Sequence, residues 1–105
     1  MKELNRNIRN LYRHRLSHLR SLVNQRDPIG LIEGGAPIDE YDMEVGAVLV
    51  GLNRDLSEEA VLDLVSGVFE HFFGDDGIAG PKEAYRPLST EIHQWLYSSS
   101  FQLGG

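Results

Sequence analysis

The chain has 105 residues, of which 41% are apolar and 25% charged, and its formal net charge is −6. This composition is that of one ordinary globular domain with a single hydrophobic core. Cysteine is absent, which excludes disulfides and thiolate metal sites and suits a reducing, cytoplasmic compartment. Residues 1–10 lack the apolar core of a signal peptide, and the longest apolar run, Val45–Leu52, is too short to cross a bilayer, so we expect no membrane association.

The charge is divided unevenly along the chain. Residues 1–26 carry seven basic side chains and one acidic side chain, whereas residues 27–105 carry three basic and fifteen acidic ones, which gives +6 and −12. We expect the basic segment to dock partly on the acidic remainder. The alternative is a basic face for an acidic partner. Nucleic acid is a disfavoured partner, because the acidic part of the chain would repel phosphate.

The first predicted helix covers residues 2–25. Its apolar residues recur every three or four positions and form one face: Leu4, Ile8, Leu11, Tyr12, Leu16, Leu19, Leu22 and Val23. Arg15 falls within this apolar arc, where an unpaired guanidinium is costly. We therefore expect Arg15 to meet a carboxylate, either Asp39 or Asp42. The alternative is that its long stem carries the charge to solvent.

A loop and a second helix follow. Asp27-Pro28 ends the first helix, and Gly30 permits a tight turn in the loop. The second helix is predicted from Ile38 to about Arg54, with acidic residues in its first turn, where the helix dipole favours them. Its segment Val45–Leu52 is apolar all round, which is typical of a buried central helix, with a buried strand as the alternative.

Two more helices complete the predicted fold. Ser57 is a good N-cap for a third, amphipathic helix that ends near Phe73. The fourth begins near Pro81, and Pro87 should kink or restart it. Residues 98–105 are polar and glycine-rich and are expected to fray. The prediction is thus an all-α fold: one domain of four helices over residues 1–97, followed by a flexible tail.

Two spaced motifs resemble the YugE-like family of small bacterial helical proteins of unknown function. They are Asp27-Pro28-Ile29-Gly30 and Asp39-Glu40-Tyr41-Asp42, followed by Leu56-Ser57-Glu58-Glu59-Ala60. The resemblance covers about residues 20–75, and Arg26 stands where members commonly have an aromatic residue. It implies a small cytosolic helical protein without a known catalytic activity, and it suggests an immunity-type partner of a toxin. It also marks the residues of both motifs as a signature that either shapes the fold or contacts a partner: Asp27, Pro28, Gly30, Asp39, Glu40, Tyr41 and Asp42. Arg15 is grouped with them as a structural residue.

The leading functional hypothesis is a non-enzymatic protein-interaction domain. Carboxylates of the loop and helix start would bind a basic protein partner, since complementary charge speeds encounter and disfavours wrong partners. The predicted contact residues are Glu33, Asp39, Glu40, Asp42 and Glu44. We expect no cofactor and no metal. A homodimer is kept as an alternative, because a second copy could cover the apolar second helix.

Two other functional hypotheses are retained. The first is a small metal-dependent hydrolase that uses Asp39, Asp42 and a nearby histidine. His14 and His18 are four residues apart, a spacing that can hold a metal, but they lack a third ligand and are expected to be solvated. The second is a regulatory module that binds nucleic acid through the basic face of the first helix, formed by Lys2, Arg6, Arg9, Arg13 and Arg20.

Overall fold

The computed structural model describes residues 2–103, and within them the chain is helical and contains no strand. The all-α prediction is therefore confirmed, and the strand alternative for residues 45–52 is wrong. Two short 3₁₀ helices, Gly74–Asp76 and Lys82–Tyr85, connect the third and fourth helices. The α-helices are α1 (Lys2–Arg26), α2 (Asp42–Gly51), α3 (Glu58–Phe73), α4 (Arg86–Leu96) and α5 (Ser99–Leu103).

Local chemistry sets most helix ends. The Ser57 side chain accepts a hydrogen bond from the Ala60 N–H at 3.1 Å and caps α3 as predicted. Pro87 lies in the first turn of α4, which restarts at Arg86 after the 3₁₀ helix, so the predicted restart is confirmed. The positive φ of Asp27, 47°, ends α1 just before Pro28.

The second helix is shorter than predicted. Its first turn was expected from Ile38, but α2 begins at Asp42. The preceding residues form consecutive turns, in which the Glu40 N–H donates to the Pro37 carbonyl and the Asp42 N–H to the Asp39 carbonyl, both at 3.1 Å. Asp39 and Glu40 therefore lie in a loop, outside the first helical turn.

The four longer helices pack in a ring around one core. α1 contacts α2 and α4, and α3 contacts the same two helices from the other side. Because neighbours in the ring contribute to one shared core, we expect each helix to depend on the others for its stability. The largest fully buried side chains are Leu19, Val23, Tyr41, Val45, Val48, Val61, Leu62, Val65, Phe69, Leu88, Ile92 and Leu96.

The C-terminal segment is part of this core. Phe101 of α5 is 3% exposed and packs edge-on against Trp95, with ring centroids 4.9 Å apart. The predicted fraying is thus wrong for Ser99–Leu103, because one aromatic side chain anchors an otherwise polar stretch. Residues 104 and 105 of the predicted tail lie outside the described residues.

The second helix is buried on one side only. Its inner residues Val45, Val48 and Leu49 belong to the core. On its outer side, however, Met43 is 71% and Val50 is 82% exposed. The prediction of a helix buried all round is therefore wrong, since no other described part of the chain covers that side. Among the described helices, none has the length and apolar content that a bilayer crossing requires.

Candidate functional site

The loop between α1 and α2 is held by a hydrogen-bonded pair, Asp27 and Tyr41. The Tyr41 hydroxyl donates to Asp27 Oδ1 at 2.7 Å and accepts from the backbone N–H groups of Ile29 and Leu31, at 3.1 and 3.3 Å. The Asp27 carboxylate also accepts the N–H groups of Ile32 and Glu33, at 3.0 and 2.8 Å. Two side chains thus satisfy four backbone donors of the loop.

Burial and hydrogen bonding fix the charge state of this pair. Burial, helped by the Asp27 carboxylate, raises the pKa of Tyr41 to about 12. Burial also opposes ionisation of Asp27, but the hydrogen bonds from Tyr41 and from the backbone of Glu33 and Ile32 outweigh it and lower its pKa. At neutral pH Tyr41 is therefore a neutral phenol and Asp27 is a carboxylate. In these states both side chains hydrogen-bond within the loop.

Three residues of the two motifs, Asp27, Gly30 and Tyr41, thus have structural roles in this loop. Tyr41 is fully buried, which leaves no surface for a partner to contact. Gly30 has a φ of 82°, a conformation that side-chain-bearing residues rarely adopt, and its N–H donates to the Asp27 carbonyl at 2.9 Å. Pro28 lies between Asp27 and Gly30 at the turn. The spacing of Asp27 and Tyr41 was visible in the sequence, but their hydrogen bond was not.

Arg15 does not meet a carboxylate of the loop. Its Nε donates to the Phe101 carbonyl at 2.6 Å, and its guanidinium carbon lies 3.9 Å from the centre of the Phe101 ring. Partial burial lowers its pKa. The expected pairing with Asp39 or Asp42 is wrong, because it is Arg20 that lies beside Asp42. Arg15 instead anchors the C-terminal helix.

The five predicted acidic contact residues fall into three groups. Asp42 is half-buried and accepts two hydrogen bonds from Arg20, at 2.8 and 2.6 Å. Glu44 is only 5% exposed, and burial, followed by the nearby charges of Glu40 and Asp42, raises its pKa. Its predicted role as a surface contact is therefore wrong. The three that remain exposed are Glu33, Asp39 and Glu40.

His14 and His18 make their contacts elsewhere and not with these carboxylates. His14 is exposed, and the His18 ring stacks on Trp95 of α4 with centroids 4.7 Å apart. In the part of the chain that the structure describes, no three His, Asp or Glu side chains converge as metal ligands would. Both Asp42 oxygens accept hydrogen bonds from Arg20. The hydrolase hypothesis stays a prediction.

Five of the large exposed apolar residues lie elsewhere, on α1, on α2 and in the loop before α2. Together with the partly buried Ala47 they form what we call the α2 face: Ile8, Tyr12, Ile38, Met43, Ala47 and Val50. Met43, Ala47 and Val50 recur at helical spacing along the outer side of α2. Val50 also lines a groove of about 240 Å³ together with Ile8 and Tyr12 of α1. Ile38 is 70%, Ile8 56% and Tyr12 48% exposed.

The sequence left open whether the apolar second helix is covered within the chain or by a second copy, and it did not show which side of the helix is exposed. The run from Val45 to Leu52 contains no charge, so it fitted a fully buried helix equally well. The periodicity of α2 nevertheless divides its apolar residues into two opposite sides, and only one side can face the core of so thin a bundle.

Comparison of the chain with protein-family models, with curated proteins and with solved structures yields no match. The fold and the surface define a small all-α domain with an uncovered apolar helix face. The resemblance to the YugE-like family stays a prediction.

Proposed function

We propose that this protein is a non-catalytic protein-binding domain of the cytoplasm, and that it binds through the α2 face. The observation that carries the proposal is the 82% exposure of Val50, which shares a groove with Ile8 and Tyr12, together with the 71% exposure of Met43 two turns earlier on the same side of α2. Folded chains of this size rarely leave neighbouring large apolar side chains in water unless another molecule covers them. A cysteine-free sequence suits the reducing compartment.

The α2 face is better supported than the acidic loop as the central contact. Of the five carboxylates predicted to bind a partner, Asp42 is paired with Arg20 and Glu44 is buried. Exposed charges that remain can orient a partner, but they contribute little affinity unless water is excluded around them. We therefore assign Glu33, Asp39 and Glu40 to the rim. An immunity-type inhibitor is the narrower form of this proposal, and its support is the motif resemblance alone.

Site-specific photo-crosslinking in the cells that make the protein tests the proposal. A photoreactive residue at position 43 or 50 is expected to form a covalent adduct with a protein chain, because both positions point away from the core. The same residue at position 78 is the matched control. Ile78 is 48% exposed and lies in the connection between α3 and α4, so it belongs to neither α1 nor α2.

The adduct must also depend on the apolar character of the face. Replacement of Tyr12 by Ser, with the photoreactive residue kept at position 50, should reduce the adduct severalfold. If positions 43 and 50 give no protein adduct, or give no more than position 78, the protein-binding proposal is wrong.

A further inference from the structure

The proposed function leaves the partner open, and we infer, resting on that proposal, that the partner is a second copy of this chain. Two copies would pack their α2 faces together with the two α2 helices antiparallel. The argument depends on how apolar and charged groups are ordered along the face.

The face has two distinct ends because α2 runs antiparallel to α1. At one end, the Ile38 carbonyl accepts a hydrogen bond from Asn24 near the C-terminus of α1. One turn further, Asp42 meets Arg20. At the other end, Val50 shares its groove with Tyr12 and Ile8. The order of contacts along α2 is thus the reverse of that along α1.

Opposite charges lie at these two ends. Asp39 and Glu40 are exposed at the end where α2 begins. Arg9 and Arg13 are exposed near the end where α2 finishes, and they lie in the same row of α1 as Arg20, which faces α2. They also line a groove with Ile8 and Tyr12. The face is therefore negative at one end and positive at the other.

A two-fold axis would bring the negative end of the face on one copy against the positive end of the face on the other. In an isologous contact the same patch is used twice, so each end of one copy meets the opposite end of the other when the helices are antiparallel. Asp39 and Glu40 of each copy would then face Arg9 and Arg13 of its partner. A parallel arrangement would instead bring like charges together, which is unfavourable.

The apolar groups match under the same rotation. Ile38 and Met43 of one copy would pack on Val50 and Tyr12 of the other. At the centre lie the smallest residues, Gly46 and Ala47. A Cβ added to Gly46 would meet no described atom within 4 Å, so there is open space beside this residue. A standard interface of about 800 Å² per copy is a modest share of the 6419 Å² surface of the chain.

Sedimentation equilibrium of the purified full chain over a wide concentration range tests the inference. The chain is expected to associate reversibly to twice its monomer mass. Val50→Asp should weaken dimerisation at least about tenfold, since it places a carboxylate in the apolar contact. The control Ile78→Asp makes the same kind of change at an exposed apolar position off the face and should change the dissociation constant less than about twofold. Far-UV circular dichroism verifies that both variants are folded.

A charge exchange tests the antiparallel geometry. The double variants Arg9→Glu/Arg13→Glu and Asp39→Arg/Glu40→Arg should each dimerise at least about tenfold more weakly than the original chain, because like charges then meet at both ends. An equimolar mixture of the two variants should recover the dimer as a heterodimer, since one junction is restored with exchanged signs and the other is unchanged. If the mixture recovers nothing, the antiparallel arrangement is wrong.

Different results would contradict the dimer and the protein-binding function. A chain that stays monomeric at all concentrations, while positions 43 and 50 crosslink to a protein of another mass in cells, overturns the dimer and leaves the protein-binding function standing. A monomer without any crosslink overturns both. A dimer that Val50→Asp leaves intact places the interface elsewhere and overturns the inference.

Discussion

At the scale of single residues, the Asp27–Tyr41 pair determines whether the loop keeps its shape. The Tyr41 hydroxyl takes part in three hydrogen bonds within a fully buried position. A buried donor or acceptor that loses its partner costs more than the bond itself contributed. A small chemical change in this pair is therefore expected to have a large effect on the loop.

Tyr41→Phe removes one oxygen atom and should lower the free energy of unfolding by about 2–3 kcal/mol, because two backbone N–H groups and one carboxylate oxygen lose a partner. Urea denaturation measures this change. The matched control is Tyr97→Phe, at a tyrosine that is 58% exposed, where we expect a loss under about 0.5 kcal/mol. Equal losses at the two positions would contradict the role of Tyr41.

Asp27→Asn should make folding stability less dependent on acid. The folded-state pKa of Asp27 is lowered, so its charge stabilises the fold fully above its unfolded pKa of about 3.9 and loses this effect as the pH falls through the folded value. The variant should therefore be less stable than the original chain at neutral pH, and the difference should shrink below about pH 4. Thermal melts at several pH values test this; a difference that grows in acid would refute it.

Glu44→Gln should change folding stability at neutral pH in the opposite direction and make the protein more stable. Burial raises the pKa of Glu44 in the fold, so the ionised carboxylate destabilises the protein at neutral pH and protonation relieves this as the pH falls through the raised value. The neutral amide should stabilise the fold by about 1 kcal/mol at pH 7 and less in mild acid. A control is Glu33→Gln at an exposed carboxylate. Loss of stability in Glu44→Gln at pH 7 would show that its charge is needed.

At the scale of elements, the shortest α-helix, α5, is held against α1. α5 contributes Phe101 to the core, and Arg15 of α1 holds this residue through both its carbonyl and its ring. Without this contact, the five residues of α5 would bury too little surface to remain helical. The contact also places α5 beside the groove that Val50 shares with α1.

Phe101→Ala should therefore cost about 3 kcal/mol of stability, the usual result of emptying a buried aromatic position. The control is the neighbouring exposed residue in Gln102→Ala, for which we expect a change below about 0.5 kcal/mol. Both are measured by urea denaturation of the full chain. If the two variants are equally stable, α5 does not belong to the folded core.

At the scale of the whole molecule, the ring of four helices shares one core and should unfold in one step. Trp95, the single tryptophan, lies in α4 between His18 of α1 and Phe101 of α5, so its fluorescence reports on the junction of three helices. We expect its urea transition to coincide with the far-UV circular dichroism transition of all helices. A fluorescence change at a lower urea concentration would show that α5 and the α1 contact separate first.

The sequence by itself determined the helical class, the ends of α1 and α3, and the restart of α4 near Pro87. These features depend on the apolar period, on Ser57 as a cap and on proline, and each acts within one or two helical turns. The late start of α2 was not predictable in this way, because the residues before Asp42 form hydrogen-bonded turns that the apolar pattern does not distinguish from a first helical turn.

Only the tertiary structure decided which arginine meets Asp42, that Glu44 is buried and that Phe101 reaches the core. Arg15 and Arg20 lie about 140° apart around α1, so the packing direction of α2 selects one and excludes the other. The exposed side of α2 was decided in the same way: an uncharged helix can face a core on either side, and only the positions of its neighbours, which are remote in sequence, determine which apolar side chains stay in water.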